Sequence, residues 1–107
     1  MIFTIPTLQD TVFLMNSADY KERFVAEYWQ TKIRYEKLHE MTVKYQANKL
    51  DFTPNCPLDV LLKQQSAMGQ YLNILEIRAQ IENINLSMDC YFTVESKPIT
   101  YTKVKED

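Results

Sequence analysis

Seven residues between Phe24 and Tyr45 recur at alternating steps of four and three: Phe24, Tyr28, Thr31, Tyr35, Leu38, Thr42 and Tyr45. With 3.6 residues per turn, that spacing lays the side chains along one stripe of an α-helix, the seam of a coiled coil. Five of these positions are Thr or Tyr, so the seam is partly polar. Beyond it the linker 51–56 carries Pro54 and no helical period. The seam then resumes at Leu61, Gln65, Met68, Leu72, Leu75 and Ala79. Two amphipathic helices of similar length joined by a short loop fold back on each other. The spacing therefore predicts an antiparallel two-helix hairpin over residues 17–86, with helices from about Ser17 to Asn48 and from about Pro57 to Ile84. Ser17 is the expected N-cap of the first, and Pro57 the expected first residue of the second, where a missing N–H costs nothing.

A hairpin buries one stripe per helix. Val25, Trp29, Ile33, Met41, Leu58, Leu62, Tyr71, Ile74 and Ile81 lie off the two seams and form second faces that need another partner. Self-association is the simplest supply. In the N-terminal segment 1–16, Thr7 to Asp10 resembles a capping box that opens a short helix through Leu8, Val12 and Met15. In the C-terminal segment 87–107, the runs 91–95 and 99–104 are rich in β-branched and aromatic residues and flank Ser96-Lys97-Pro98. Those features predict a small β-hairpin. The expected class is mainly α: the helical hairpin, a short N-terminal helix and the C-terminal β-hairpin.

Composition narrows the function. The 107 residues suffice for one hydrophobic core, and 46% of them are hydrophobic, which argues against disorder. Twelve basic and 14 acidic side chains give a formal charge of −2, which excludes binding to DNA or RNA polymers or to membranes through bulk positive charge. No apolar run approaches the roughly 18 residues of a transmembrane helix. The N-terminus lacks the basic and apolar regions of a signal peptide, so a cytoplasmic address is expected. Cys56 and Cys90 are too few for a disulfide framework and read as reduced thiols.

The same residues argue against catalysis. Gly69 is the only glycine, whereas phosphate loops and nucleophile elbows need several. The single histidine, His39, has no Cys or second His at ligand spacing and reads as a helix-surface residue, so neither a metal nor a cofactor is expected. The glutamates alternate with lysines and arginines, as on a solvated helix face. One stripe is more suggestive. Arg23, Gln30, Arg34, Lys37 and Lys44 follow at steps of seven, four, three and seven beside Tyr28, Tyr35 and Tyr45. Cations next to ring faces suit a nucleotide, the one taking phosphate and the other bases. Gln65 and Arg78 of the second helix lie where they would add to such a site. Flanking cations that merely solvate a seam are the plainer reading.

The strings SADYKERFVAEYWQTKIRYEKL (17–38), LDFTPNCP (50–57) and LLKQQSAMGQYLNILEIRA (61–79) resemble a family of small phage and prophage proteins named after a crAss-like phage protein. The likeness covers about residues 7 to 86. The wider pattern has Arg and Glu early in helix one and Lys-Leu near its end. Leu-Leu, Gln, Met, Tyr, Leu and Arg follow on helix two. It is similar to the hairpin of phage sponge proteins that counter CBASS and Thoeris defences. The resemblance implies a non-catalytic homo-oligomer that sequesters cyclic nucleotide signals. It implies ligand contacts from Arg23, Arg34, Lys37 and Arg78, Arg78 foremost. Gln65 and Tyr71 fall on motif positions, and Tyr35 offers a ring for stacking. The rival expectation is an interaction module whose apolar faces dock a phage or host protein.

Overall fold

The computed structural model describes residues 6–88, and it holds three helices in chain order: α1 (Leu8–Met15), α2 (Tyr20–Gln46) and α3 (Leu58–Glu82). No strand occurs among the described residues, so the fold they form is all-α. This corrects the expected mainly-α class with a C-terminal β-hairpin. The β-rich runs 91–95 and 99–104 lie outside the described residues.

The capping box at Thr7 forms as its residue types require. The Thr7 hydroxyl accepts from the Asp10 N–H at 3.3 Å, and the Asp10 carboxylate accepts from the Thr7 N–H at 2.9 Å. The buried face of α1 is not the expected one, however. Thr11 and Leu14 are buried, whereas Val12 and Met15 are exposed. Thr11 tolerates burial because its hydroxyl donates to the Leu8 carbonyl at 2.7 Å.

Helix α2 begins three residues later than expected. Asp19, not Ser17, is the N-cap and accepts from the Lys21 N–H at 3.0 Å. Ser17 instead bridges the α1–α2 connection, accepting from the Asp19 N–H and donating to Glu22 at 2.6 Å. A carboxylate suits the cap better here because the positive end of the helix dipole adds to its hydrogen bond. At the other end Asn48 takes a left-handed conformation (φ 61°), and the Lys49 N–H closes on the Lys44 carbonyl at 2.8 Å. Pro57 caps α3 from just outside it, its carbonyl accepting from the Val60 and Leu61 N–H groups. Asn83 (φ 57°) ends α3 in the same way as Asn48 ends α2.

The two seams meet as their spacing predicts. Phe24 and Tyr28 of α2 and Leu72, Leu75 and Ala79 of α3 are buried together. Polar seam residues find partners across the helices: Thr42 donates to Gln65 at 2.6 Å, and Tyr28 donates to Glu76, beside the seam, at 2.7 Å. These pairs fix the antiparallel register. The second face of α2 is covered within the chain. Val25 and Ala26, both with no accessible surface, join Leu14, Ile84 and Met88 in the core, and the Trp29 indole N–H donates to the Leu86 carbonyl. The second face of α3 has no such cover among the described residues. Tyr71, Ile74, Ile77 and Ile81 stand exposed.

Candidate functional site

Pairings along the hairpin set the level of each candidate residue. Tyr20 and Phe24 lie level with Arg78 and Glu82, Tyr35 with Gly69, and Thr42 with Gln65. From Phe24 to Lys37 is therefore about 20 Å along the α2 axis at 1.5 Å per residue.

At the first level Arg78 is held by a cluster. Its Nε donates to Glu82 at 3.0 Å, a second guanidinium nitrogen donates to the Tyr20 hydroxyl, and its carbon lies 4.8 Å from the centre of the Phe24 ring. Tyr20 in turn donates to the other Glu82 oxygen at 2.9 Å and meets Phe24 edge to face. The hydrogen bond from Tyr20, and then that from Arg78, lowers the Glu82 pKa below the ordinary carboxylate value. The Tyr20 hydroxyl is pushed up, chiefly by its hydrogen bond to that carboxylate. Arg78 is thus half-buried, stacked on an aromatic ring and already paired with one anion. Its remaining N–H groups have no partner among the described residues.

Tyr35 and Gln65 are half-buried, and both meet His39. The Tyr35 ring stacks on His39 at 6.1 Å and 7° from parallel, and its edge lies 3.4 Å from where a Cβ on Gly69 would stand. Gln65 reaches His39 Nδ1 at 2.9 Å while accepting from Thr42. The only glycine therefore seats a tyrosine between helices, and the only histidine closes a polar contact across them. Tyr28 is buried on the same α2 seam as Tyr35, and burial first, then the bond to Glu76, raises its pKa.

The remaining candidates face outward. Arg23 donates to the Ser17 carbonyl at 2.8 Å and so braces the α1–α2 connection. Arg34 and Lys37 are exposed and make no ion pair or side-chain hydrogen bond among the described residues, in contrast to Lys32 and Lys44, which pair with Glu36 and Glu40 at 3.6 Å. Tyr71 is exposed on α3. The seven candidates are distributed along the hairpin rather than gathered into one pocket of a single chain.

Two shallow cavities at the loop end take in residues that sequence reasoning passed over. One, of about 290 Å³, is lined by Lys37, Lys44, Lys49 and Phe52 together with Glu40 and Asp51. The other, of about 280 Å³, lies between Tyr45, Asn48, Leu50, Phe52 and Thr53. The first carries both signs of charge, three lysines beside two carboxylates, and the second is lined by uncharged residues. Asn just past the last seam residue was a legible signal for this turn. The Tyr20–Phe24 and Arg78–Glu82 pairs, each four residues apart, were the legible signal for the Arg78 cluster.

No group of His, Cys, Asp and Glu among the described residues is placed to hold a metal ion, and none of the helices is long and apolar enough to cross a membrane. A family model described as Sequestin matches residues 18–81, which is α2, the loop and α3 almost to its end. The chain belongs to the sequestin family. The matched span is the hairpin alone, without α1. No curated protein and no solved structure matches the chain.

Proposed function

We propose that this sequestin is a phage or prophage sponge: a homo-oligomer of helical hairpins that takes up a cyclic oligonucleotide or related nucleotide signal of host immunity without cleaving it. The observation that carries the reading is the family match over the whole hairpin. The hairpin's surface chemistry supports it. Arg34 and Lys37 offer unpaired positive charge for phosphate, Arg78 offers further N–H donors beside the Phe24 ring, and Tyr71 offers an exposed ring face. These groups are spread along one hairpin, so capture between protomers fits them better than a pocket within one.

The test is a thermal-shift titration of the purified protein with cyclic di- and trinucleotides and ADP-ribose derivatives, followed by release of the ligand with denaturant and chromatography. A ligand that binds only the folded state raises the melting temperature with concentration. The expected result is a dose-dependent rise that is lost in an Arg34→Ala/Lys37→Ala variant, with the ligand recovered intact. A flat response across the panel, or a cleaved ligand, removes the sponge. The second reading is a module that docks a phage or host protein, favoured by Phe13 of α1, which is 73% exposed. A flat response together with a stable complex lost in Phe13→Ser points there.

A further inference from the structure

The loop of the hairpin folds back over the last turns of α2 and makes a double cavity there. Asn48 takes its left-handed conformation just past the helix, and the Lys49 N–H closes on the Lys44 carbonyl, so the chain reverses at Lys49. On the helix, Lys37, Glu40, Met41 and Lys44 share one stripe, and the first cavity lies between that stripe and residues 49–52. Leu50 and Phe52 also line the second cavity, so the two adjoin across these side chains. At about 290 and 280 Å³, each is near the ~300 Å³ lower bound of small-molecule sites.

The polar groups of this pair are largely unspent. Glu40 and Lys44 hold each other at 3.6 Å. Lys37, Lys49 and Asp51 make no ion pair, and Asn48 and Thr53 no side-chain hydrogen bond, among the described residues. The Phe52 ring between them is 56% exposed. Two free ammoniums suit a phosphate. A bare anion would leave the Asp51 carboxylate, which only accepts, without a donor. Ribose hydroxyls supply that donor, as they do to the acidic residue of dinucleotide sites. An exposed ring suits a base, and the Asn48 amide and Thr53 hydroxyl suit its polar edge. The α2 dipole opposes an anion only near its last turn, and Lys37 stands about 14 Å before Gln46.

We infer that the double cavity holds one 5′-ribonucleotide unit. Its phosphate lies between Lys37 and Lys49, its ribose at Asp51, and its base on Phe52 in the uncharged cavity. The inference rests on the nucleotide reading of the proposed function and places that ligand at the loop end, about 20 Å along α2 from the Arg78 cluster. One unit fills the space. The remainder of a cyclic oligonucleotide projects out of it, where a second protomer can meet it.

The test is a titration of the isotope-labelled full chain with AMP to about 5 mM, above the millimolar affinity that one stacked base and two ion pairs supply, read by amide chemical shifts. The expected shifts centre on residues 37–53. Affinity falls about tenfold in Phe52→Ala and in Lys49→Ala, both exposed positions where helical circular dichroism should be retained. Asp51→Asn narrows the preference for AMP over 2′-deoxy-AMP. No shift at that concentration, shifts centred on Tyr20 and Arg78, affinity unchanged in Phe52→Ala and Lys49→Ala, or displacement of AMP by an equal concentration of inorganic phosphate overturns the proposal. A cyclic-nucleotide thermal response that persists in Phe52→Ala and Lys49→Ala removes this site and leaves the sponge. AMP shifts at the loop with a flat cyclic-nucleotide panel remove the sponge and leave the site.

Discussion

Helices α2 and α3 are of nearly equal length, 27 and 25 residues, yet they are buried differently. α2 lies between two neighbours in its own chain: α3 packs on one side, and α1 with the stretch 84–88 packs on the other. Both of its apolar faces are spent on folding. α3 spends one. Leu75 is 2% exposed and its neighbour Ile74 55%, so adjacent residues of one helix belong to different interactions. An apolar face left open on a small protein is tolerated when something else covers it. The contrast thus separates residues that hold the fold from residues available for assembly.

The sharpest way to break the contrast is to shorten each of the two adjacent side chains. Leu75→Ala should cost about 3 kcal/mol, the usual range for a leucine lost from a core, seen as a lower midpoint in urea unfolding. Ile74→Ala should change the stability of the dissociated chain by less than about 0.5 kcal/mol. Equal losses at both positions would mean that α3 is covered on both faces. Leu14→Ala, which loosens α1 from Val25, should cost about 2–3 kcal/mol and speed hydrogen exchange in α1 before α3. Uniform exchange across the three helices would show that α1 is no separate cover.

Removing the Tyr28 hydroxyl has a smaller expected effect. Tyr28→Phe loses a bond to a carboxylate and should cost about 1 kcal/mol near neutral pH. Because burial raises the Tyr28 pKa, the protonated form is the folded one. Its stability is therefore complete below the usual tyrosine value of about 10 and declines as pH rises above it. Alkaline unfolding should set in less steeply for Tyr28→Phe, as read by circular dichroism between pH 9 and 12.

Glu82 gives the opposite sign. Its lowered pKa contributes stability above the usual glutamate value of about 4.3, and that contribution disappears as pH falls through the folded value. The stability difference between the wild type and Glu82→Gln should shrink between pH 6 and 3, and a constant difference would mean that the Arg78 cluster is not ionic. The smallest effect expected is at Gly69. Alanine gains up to about 1 kcal/mol of helix propensity, and its Cβ would sit in ordinary contact with Tyr35. Gly69→Ala should therefore be neutral to slightly stabilising, whereas Gly69→Leu should displace Tyr35 from His39.

The hairpin was legible because period and breaker agree. Steps of four and three specify which side chains share a face, and Pro54 and Pro57 interrupt them where the chain reverses. The cap of α2 was legible only as a region, since Ser17 and Asp19 are both good caps and the choice depends on which one the α1 connection engages. The candidate site was less legible. Arg23, Arg34, Lys37 and Arg78 look alike as cations in a sequence, but their partners differ: a backbone carbonyl for Arg23, none among the described residues for Arg34 and Lys37, and a carboxylate, a phenol and a ring for Arg78.

The sequence by itself determined two amphipathic helices, their antiparallel return, the Thr7 capping box and the presence of apolar faces in excess of one hairpin seam. These follow from periodicity and local hydrogen bonding, which act within a few residues along the chain. Only the tertiary structure decided which excess face is covered. α1 docks on α2, where Leu14 shares one core with Val25 and Ala26, residues that no local period relates. It also left Ile74, Ile77 and Ile81 exposed.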